Sequence, residues 1–99
     1  MAAPLPWLVI TTVGSREEAQ ELARVLMDLE LAACVQIEPI ESTYRWRGEV
    51  YEDEEYRLLC KTMASLYPQV EAAIREHHPY DLPAIHAIET VAADPVYAA

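Results

Sequence analysis

The alternation of apolar and polar residues along the chain predicts four strands and two helices. Residues 7–13 (WLVITTV) are mostly apolar or β-branched and end at Gly14, a pattern typical of a buried strand. Strand patterns recur over residues 33–46, 49–62 and 84–91. Apolar residues at helical spacing predict two amphipathic helices between the strands. Their predicted buried stripes are Ala19, Leu22, Ala23, Leu26 and Leu29 in the first helix, and Leu66, Val70, Ala73, Ile74 and His77 in the second.

Residues at the predicted helix ends support these boundaries. Ser15 and Glu18 form the S-x-x-E pattern of a capping box at the start of the first helix, which should run to about residue 30. Ser65 is predicted to cap the second helix, and Pro68 is compatible with its first turn, where amides lack helical partners. A proline forces the preceding residue out of helical geometry, so this helix should end before the dipeptide at 78–79.

The predicted element order, β-α-β-β-α-β, indicates an α+β fold. Two amphipathic helices of similar length need the same kind of apolar surface, which one antiparallel four-stranded sheet provides on one face. We therefore predict a ferredoxin-like plait with both helices on one face of the sheet, built as one domain over residues 1–99. Residues 94–95 (Asp-Pro) fit the start of another short helix, which the chain ends too soon to complete.

The second and third strands should form a long hairpin closed by the two-residue turn at 47–48 (Arg-Gly). Each arm has about 14 residues, or about 45 Å when fully extended, which is long for a domain of this size. The hairpin must therefore bend or protrude. The turn pairs Trp46 with Glu49 and Tyr44 with Tyr51, which places Tyr44, Trp46 and Tyr51 on one face of the ribbon.

These aromatic residues, and the apolar character of both faces of the sheet, favour self-association. Both alternating sets of residues in 7–13 and in 33–37 contain apolar side chains, so the sheet needs a cover on both faces. Two helices can cover only one of them. We expect a homo-oligomer in which sheets pack together and the aromatic face of the hairpin contacts a neighbouring subunit.

The charge of the chain excludes some partners. Seven basic and 17 acidic residues give a net charge of −10, which disfavours nucleic acid because such binding relies on neutralising phosphates. The acidic surface either serves solubility or attracts cations. The apolar run at residues 7–10 is too short for a signal peptide or a membrane span, so we expect a cytoplasmic protein that does not bind membranes. The sequence carries no GxGxxG, P-loop or HExxH motif, and we do not expect an enzyme.

Histidines and cysteines are the candidate metal ligands. His77 fits either a buried structural histidine or a ligand; His78, where the second helix ends, is the better candidate, and His86 lies within the last strand. The hairpin register puts Cys34 opposite Lys61, unless a bend or bulge at Pro39 shifts it, and leaves Cys60 on the other face. A disulfide between the two cysteines is therefore not expected. As thiols they suit copper or zinc, or they are buried structural residues.

The acids that follow the hairpin turn resemble a cation site, but alternation divides them between two faces. Glu52 and Glu54 should face solvent. Glu55 shares a face with Lys61 and with the hairpin aromatics, which is compatible either with a polar pocket at a subunit boundary or with an interface salt bridge between Glu55 and Lys61.

Two segments, AACVQIEPIESTYRWRGEVYEDEEYRLLCKT and HPYDLPAI, closely resemble the CutA divalent-cation tolerance family. The resemblance covers nearly the whole chain, from about residue 9 to residue 91. It implies a ferredoxin-like subunit and a homotrimer in which the long hairpins reach over neighbouring subunits, with the trimer shape of the PII signalling proteins. It also implies weak binding of copper or another divalent ion, which we assign to Cys34, His78 and His86. The alternative is a PII-like regulatory or scaffolding trimer that binds a small molecule in an intersubunit cleft, with the pocket residues Trp46, Glu55, Lys61 and Tyr80.

Overall fold

The computed structural model describes residues 4–98 and has the predicted order of strands and helices. Predicted boundaries move inward by one or two residues at the end of the first helix, at the start of the second strand and at both ends of the fourth strand. A short 3-10 turn over Ala64–Leu66 precedes the second long helix. The elements are β1 (Trp7–Val13), α1 (Arg16–Asp28), β2 (Cys34–Trp46), β3 (Glu49–Thr62), α2 (Tyr67–His77), β4 (Ile85–Glu89) and α3 (Pro95–Ala98).

The four strands form one antiparallel sheet in the order β2-β3-β1-β4. Strands β1 and β3 pair Val9 with Cys60 and Thr11 with Leu58, and these four residues lie on one face of the sheet. That face is buried against both long helices in a single core. The predicted ferredoxin-like α+β plait, with two helices on one face, is therefore confirmed. The helices contribute their largest fully buried side chains at Leu22, Leu26, Val70 and Ile74.

We call the face of the sheet opposite the helices the open face. It carries every second residue of each strand, the ones that do not point to the helices. Leu8, Ile10 and Leu59 lie there at half-buried positions, and Ile88 on β4 is 50% exposed. Arg57 and Glu38 also face this side and form an ion pair with 2.7 Å between the guanidinium and the carboxylate. The expected apolar character of both faces is present, and α1 and α2 cover only one of them.

The hairpin has the predicted register along its whole length. Trp46 pairs with Glu49, Tyr44 with Tyr51 and Cys34 with Lys61. Arg47 and Gly48 have φ angles of 52° and 82°, as a two-residue turn between antiparallel strands requires. The ribbon extends the molecule to 50 Å along its longest axis, against 27 and 21 Å across it. The hairpin therefore protrudes.

The bulge considered at Pro39 is not formed, because Pro39 pairs with Tyr56 in an unbroken ladder. Strand β2 is at the edge of the sheet, with a partner strand on one side only. Half of the amides of an edge strand have no ladder partner, so a proline is accepted there without a bulge.

The helix ends confirm some predictions and correct others. The Ser15 hydroxyl accepts a hydrogen bond from the Glu18 amide at 3.2 Å, as predicted for a cap. Ser65 does not cap α2: it lies inside the 3-10 turn, and the residue at the cap position is Leu66, which makes no side-chain cap. A short third helix does form over Pro95–Ala98, although the chain was expected to end too soon to complete it, and the Asp94 carboxylate accepts a bond from the Val96 amide at 2.9 Å.

Two residues of the predicted buried stripes are exposed. Leu29 is 55% exposed because it is the C-cap of α1, where the chain leaves the helix. His77 is exposed as the last residue of α2, beside Glu18 and Glu21 of α1 rather than over the sheet. The interpretation of His77 as a buried structural histidine is therefore wrong.

Candidate functional site

Four residues from three parts of the chain, β1, β3 and the loop after α2, meet at the base of the hairpin. Helix α2 ends at His77, and His78 adopts extended geometry (φ −78°, ψ 136°) because a proline follows it. This geometry directs the His78 ring to β1, where Nε2 lies 2.8 Å from the carbonyl oxygen of Thr12. The Tyr80 ring packs on the His78 ring with centroids 4.9 Å apart, and the Tyr80 hydroxyl donates to Glu55 Oε2 at 2.9 Å.

Both nitrogens of the His78 ring are engaged. A carbonyl oxygen can only accept, so Nε2 carries the proton and donates it to Thr12. The Tyr80 amide donates to Nδ1 at 3.1 Å, so Nδ1 is an unprotonated acceptor. Burial lowers the pKa of His78, and the bond to Thr12 and the charges of Glu18 and Glu55 oppose that shift only in part. The ring is therefore a neutral, fixed tautomer without a free lone pair for a metal ion.

Tyr80 and Glu55 are held by their mutual hydrogen bond. Burial is the main cause that raises the pKa of the Tyr80 hydroxyl, followed by the hydrogen bond to Glu55, so the phenol remains a proton donor. Gly14 allows this approach: a Cβ there would lie 3.3 Å from the Tyr80 hydroxyl oxygen and 3.6 Å from the Glu18 carboxylate. Sequence reasoning missed the roles of Gly14 and Thr12, because a close backbone approach and a backbone carbonyl leave no side-chain signal.

The three predicted metal ligands do not converge within one chain. Cys34 and His86 both lie on the open face, on the two edge strands β2 and β4. Three strand spacings separate those edges, about 14 Å. His78 lies at the far end of β1, where its ring bonds to Thr12. Among residues 4–98, no three histidine, cysteine or carboxylate side chains are placed to hold a metal ion together.

The four predicted pocket residues are brought together only in part. Glu55 and Tyr80 are hydrogen-bonded. Lys61 is six residues from Glu55 along β3, about 20 Å, and Trp46 pairs with Glu49, about the same distance in the other direction. A single subunit therefore provides half of that pocket. Lys61 instead lines a different cleft beside Cys34, with its Nζ 5.6 Å from the centre of the Tyr97 ring.

The aromatic residues predicted for an interface are exposed on the protruding hairpin. Tyr44 and Tyr51 stack with ring centroids 5.8 Å apart, and Trp46 is 48% exposed. The Tyr44 hydroxyl donates to Asp53, and this hydrogen bond is the main cause that raises the pKa of Tyr44 to about 12. On the other face of the ribbon Glu52 and Glu54 are exposed, as predicted.

Cys60 and Cys34 differ in their surroundings. Cys60 is fully buried in the core, and burial raises the pKa of its thiol to about 12, with a smaller contribution from Cys34. Cys34 is half-buried on the opposite face of the sheet, and both are free thiols. Of the two, only Cys34 is available to a ligand from solvent.

Comparison with known proteins gives one consistent result. The family model described as CutA1 divalent ion tolerance protein matches residues 7–99. The divalent-cation tolerance protein CutA of Thermus thermophilus is 44% identical over 82 residues, which cover 82% of this chain and 80% of that protein. The structure of CutA from Synechococcus elongatus has a TM-score of 0.91 at 33% identity, covering 98% of this chain and 87% of its own.

A further solved structure bears on where such proteins occur. It is described as the periplasmic divalent cation tolerance protein CutA of Archaeoglobus fulgidus, with a TM-score of 0.90 at 30% identity over 94% of this chain and 91% of its own. In the present chain, the helices within residues 4–98 are all too short or too polar to cross a bilayer.

Proposed function

Because this chain belongs to the CutA1 family of divalent ion tolerance proteins, we propose that it acts in divalent-cation tolerance as a cytoplasmic homotrimer that binds copper or another divalent ion weakly. It does so without catalysing a reaction, and it binds neither nucleic acid nor membranes. The name of its Thermus thermophilus relative refers to tolerance of divalent cations, and the charge of −10 disfavours polyanionic partners.

One observation supports metal binding in an assembly rather than in a single chain. Cys34 and His86 lie on the same face of the sheet but on opposite edge strands. A cyclic assembly that sets β2 of one subunit beside β4 of the next brings Cys34 of the first near His86 of the second. A thiolate and an imidazole are ligands suited to copper and zinc. Two protein ligands, rather than three or four, account for weak binding.

Titration calorimetry with Cu²⁺ and Zn²⁺ on the tag-free protein tests this proposal. We expect saturable heat in the wild type that is lost in Cys34→Ser and at least tenfold weaker in His86→Ala. His78→Ala serves as the comparison, since both nitrogens of His78 are already engaged and its removal should leave the affinity unchanged within about threefold. No saturable heat in the wild type, or loss in His78→Ala alone, would contradict the assignment. Cell fractionation tests the cytoplasmic location.

A second candidate function rests on the hydrogen bond between Tyr80 and Glu55. This pair forms half of a polar pocket at the base of the hairpin, and in a trimer the exposed Trp46 and the Lys61 of neighbouring subunits can complete it. The protein would then be a PII-like regulatory or scaffolding trimer that binds a small molecule. Ligand binding that is lost in Glu55→Gln and retained in Cys34→Ser would favour this function over metal binding.

A further inference from the structure

A cleft of about 590 Å³ opens at the end of the sheet opposite the hairpin tip. It lies between the end of α1, the start of β2, the end of β3 and helix α3. Apolar side chains form most of its wall, chiefly Met27, Leu31, Met63 and Leu66. Small-molecule sites have volumes of about 300–1,000 Å³ and are lined in this way, with a few polar groups that orient the ligand.

Lys61 is the one lysine of the chain and provides a positive charge to this wall. Its side chain is half-buried, and its Nζ lies 5.6 Å from the centre of the Tyr97 ring. The ion pairs within residues 4–98 are formed by arginines, so Lys61 has no described carboxylate within 4.0 Å. This is notable in a chain with 17 acidic residues. Glu30 also lines the cleft, at an exposed position on its rim.

We propose that this cleft binds a small amphipathic carboxylate. The apolar body of the ligand lies against Met27, Leu31 and Leu66, and its carboxylate pairs with the Lys61 ammonium. An apolar wall beside a cation that has no ion-pair partner within residues 4–98 favours this class over others. An inorganic anion can form only the ion pair with Lys61, and an alcohol can form only the apolar contacts with the wall. An amine is repelled by the Lys61 ammonium.

This site is distinct from both functions proposed above. It requires no metal ion, and of the small-molecule pocket considered earlier it contains only Lys61, about 20 Å along β3 from Glu55. Cys34, a ligand of the proposed metal site, also lines this cleft, so octanoate binding is measured without added metal ion, and a failure of metal binding then leaves this proposal intact.

The single lysine allows a direct measurement on the assembled protein. Reductive ¹³C-methylation keeps the positive charge and labels only Lys61 and the α-amino group. Titration with sodium octanoate should shift the Lys61 methyl signal saturably and leave the α-amino signal in place. Hexanoate should bind about fifteenfold more weakly than octanoate, since each of the two methylenes removed costs about fourfold. Octylamine should give no shift.

Variants then separate the charge from the apolar wall. Calorimetry should show octanoate binding at least about tenfold weaker in Lys61→Met, as expected for loss of a charge-assisted pair, and largely kept in Lys61→Arg. Binding of 1-octanol should be equal in wild type and Lys61→Met, which shows that the variant is folded and its wall intact. Arg75→Met, which removes a cation remote from the cleft on α2, should bind octanoate like wild type.

Three results would overturn the proposal. The first is an octanoate affinity that does not change in Lys61→Met. The second is octylamine binding as tightly as octanoate. The third is no saturable shift in the wild type, the result expected if a second copy of the chain fills the cleft.

Discussion

At the residue scale, a chain of hydrogen bonds fixes the loop that follows α2. His78 is held by one bond to Thr12 and one from the Tyr80 amide, and Tyr80 in turn holds Glu55. This chain of contacts joins β1 and β3 to a segment with no regular secondary structure. The sequence identified His78 and Tyr80 as important but assigned them to two different sites. The structure joins them in one network, and His78 positions the loop.

The stability of the protein should depend on pH through His78. Its pKa in the folded state is lowered by burial, whereas the unfolded chain titrates near the ordinary value of about 6.5. Below that pH the unfolded state takes up a proton that the folded state resists, so the free energy of unfolding falls as the pH drops below about 6.5. The loss stops growing below the folded-state pKa. This pH dependence of the unfolding free energy is measured from urea midpoints at pH 7, 6 and 5, with EDTA present and at a fixed protein concentration.

The His78→Ala variant isolates this contribution. It should lose about 1 kcal/mol for each of its two hydrogen bonds at pH 7, and it should lose less than wild type on going from pH 7 to pH 5. Equal slopes in wild type and His78→Ala would contradict the prediction.

At the scale of the elements, the residue pattern determined most of the fold. Periodicity identified the strands and both long helices, and the Arg47-Gly48 turn fixed the register of β2 on β3, down to the pairing of Cys34 with Lys61. The predictions failed where the position of a residue in the tertiary structure outweighed a local sequence rule. Pro39 is accepted because β2 is an edge strand, which the sequence of β2 alone does not reveal. His77 has the right spacing for the buried stripe, but α2 ends there.

The candidate site was less predictable than the fold. The alternation of residues correctly placed Glu55 and Lys61 on one face of β3, but sharing a face does not mean contact over about 20 Å. The cleft beside Lys61 depends on where α3 and the end of α1 pack, and the patterns of those short segments do not specify this.

The end of α1 allows a prediction about backbone strain. Glu30 has φ of +56°, and the Leu31 amide closes the helix by donating to the Leu26 carbonyl. For a residue with a Cβ this left-handed geometry is about 1 kcal/mol less favourable than the right-handed one, whereas glycine has no such cost. Glu30→Gly should therefore raise the free energy of unfolding by about 1 kcal/mol in urea denaturation. Glu30→Ala keeps the strain and should give no gain, so an equal effect of both substitutions would show that the charge of Glu30, not its φ angle, matters.

At the scale of the whole molecule, two features are unexplained by a single chain. One is the open face, where Leu8, Ile10 and Leu59 surround the Arg57–Glu38 ion pair. The other is the 50 Å length produced by a hairpin that carries exposed aromatic residues beyond the core. Both are explained if copies of the chain pack sheet against sheet, with each hairpin lying on a neighbour. The proposed metal site requires in addition that β2 of one copy lie beside β4 of the next, which places the edge residues Cys34 and His86 between subunits.

Assembly through the open face can be tested with one residue whose change leaves the monomer fold intact. Ile88 lies on that face, pairs with Leu8 and is 50% exposed, so a glutamate there costs the isolated subunit little. In an assembly the same carboxylate is buried without a partner, which costs several kcal/mol for each subunit. By light scattering, wild type should have about three times the 11.2 kDa chain mass, and Ile88→Glu should shift towards a single chain. The melting temperature of the wild type should rise with protein concentration.

A second apolar-to-glutamate change controls for charge. Val91 is 95% exposed and lies just past β4, so Val91→Glu adds the same charge outside the ladder and should keep the wild-type mass. Circular dichroism of both variants checks that the fold is retained. A monomeric wild type, or an Ile88→Glu variant with unchanged mass, would show that the open face is not the assembly surface. The exposed hairpin alone would then have to explain any association.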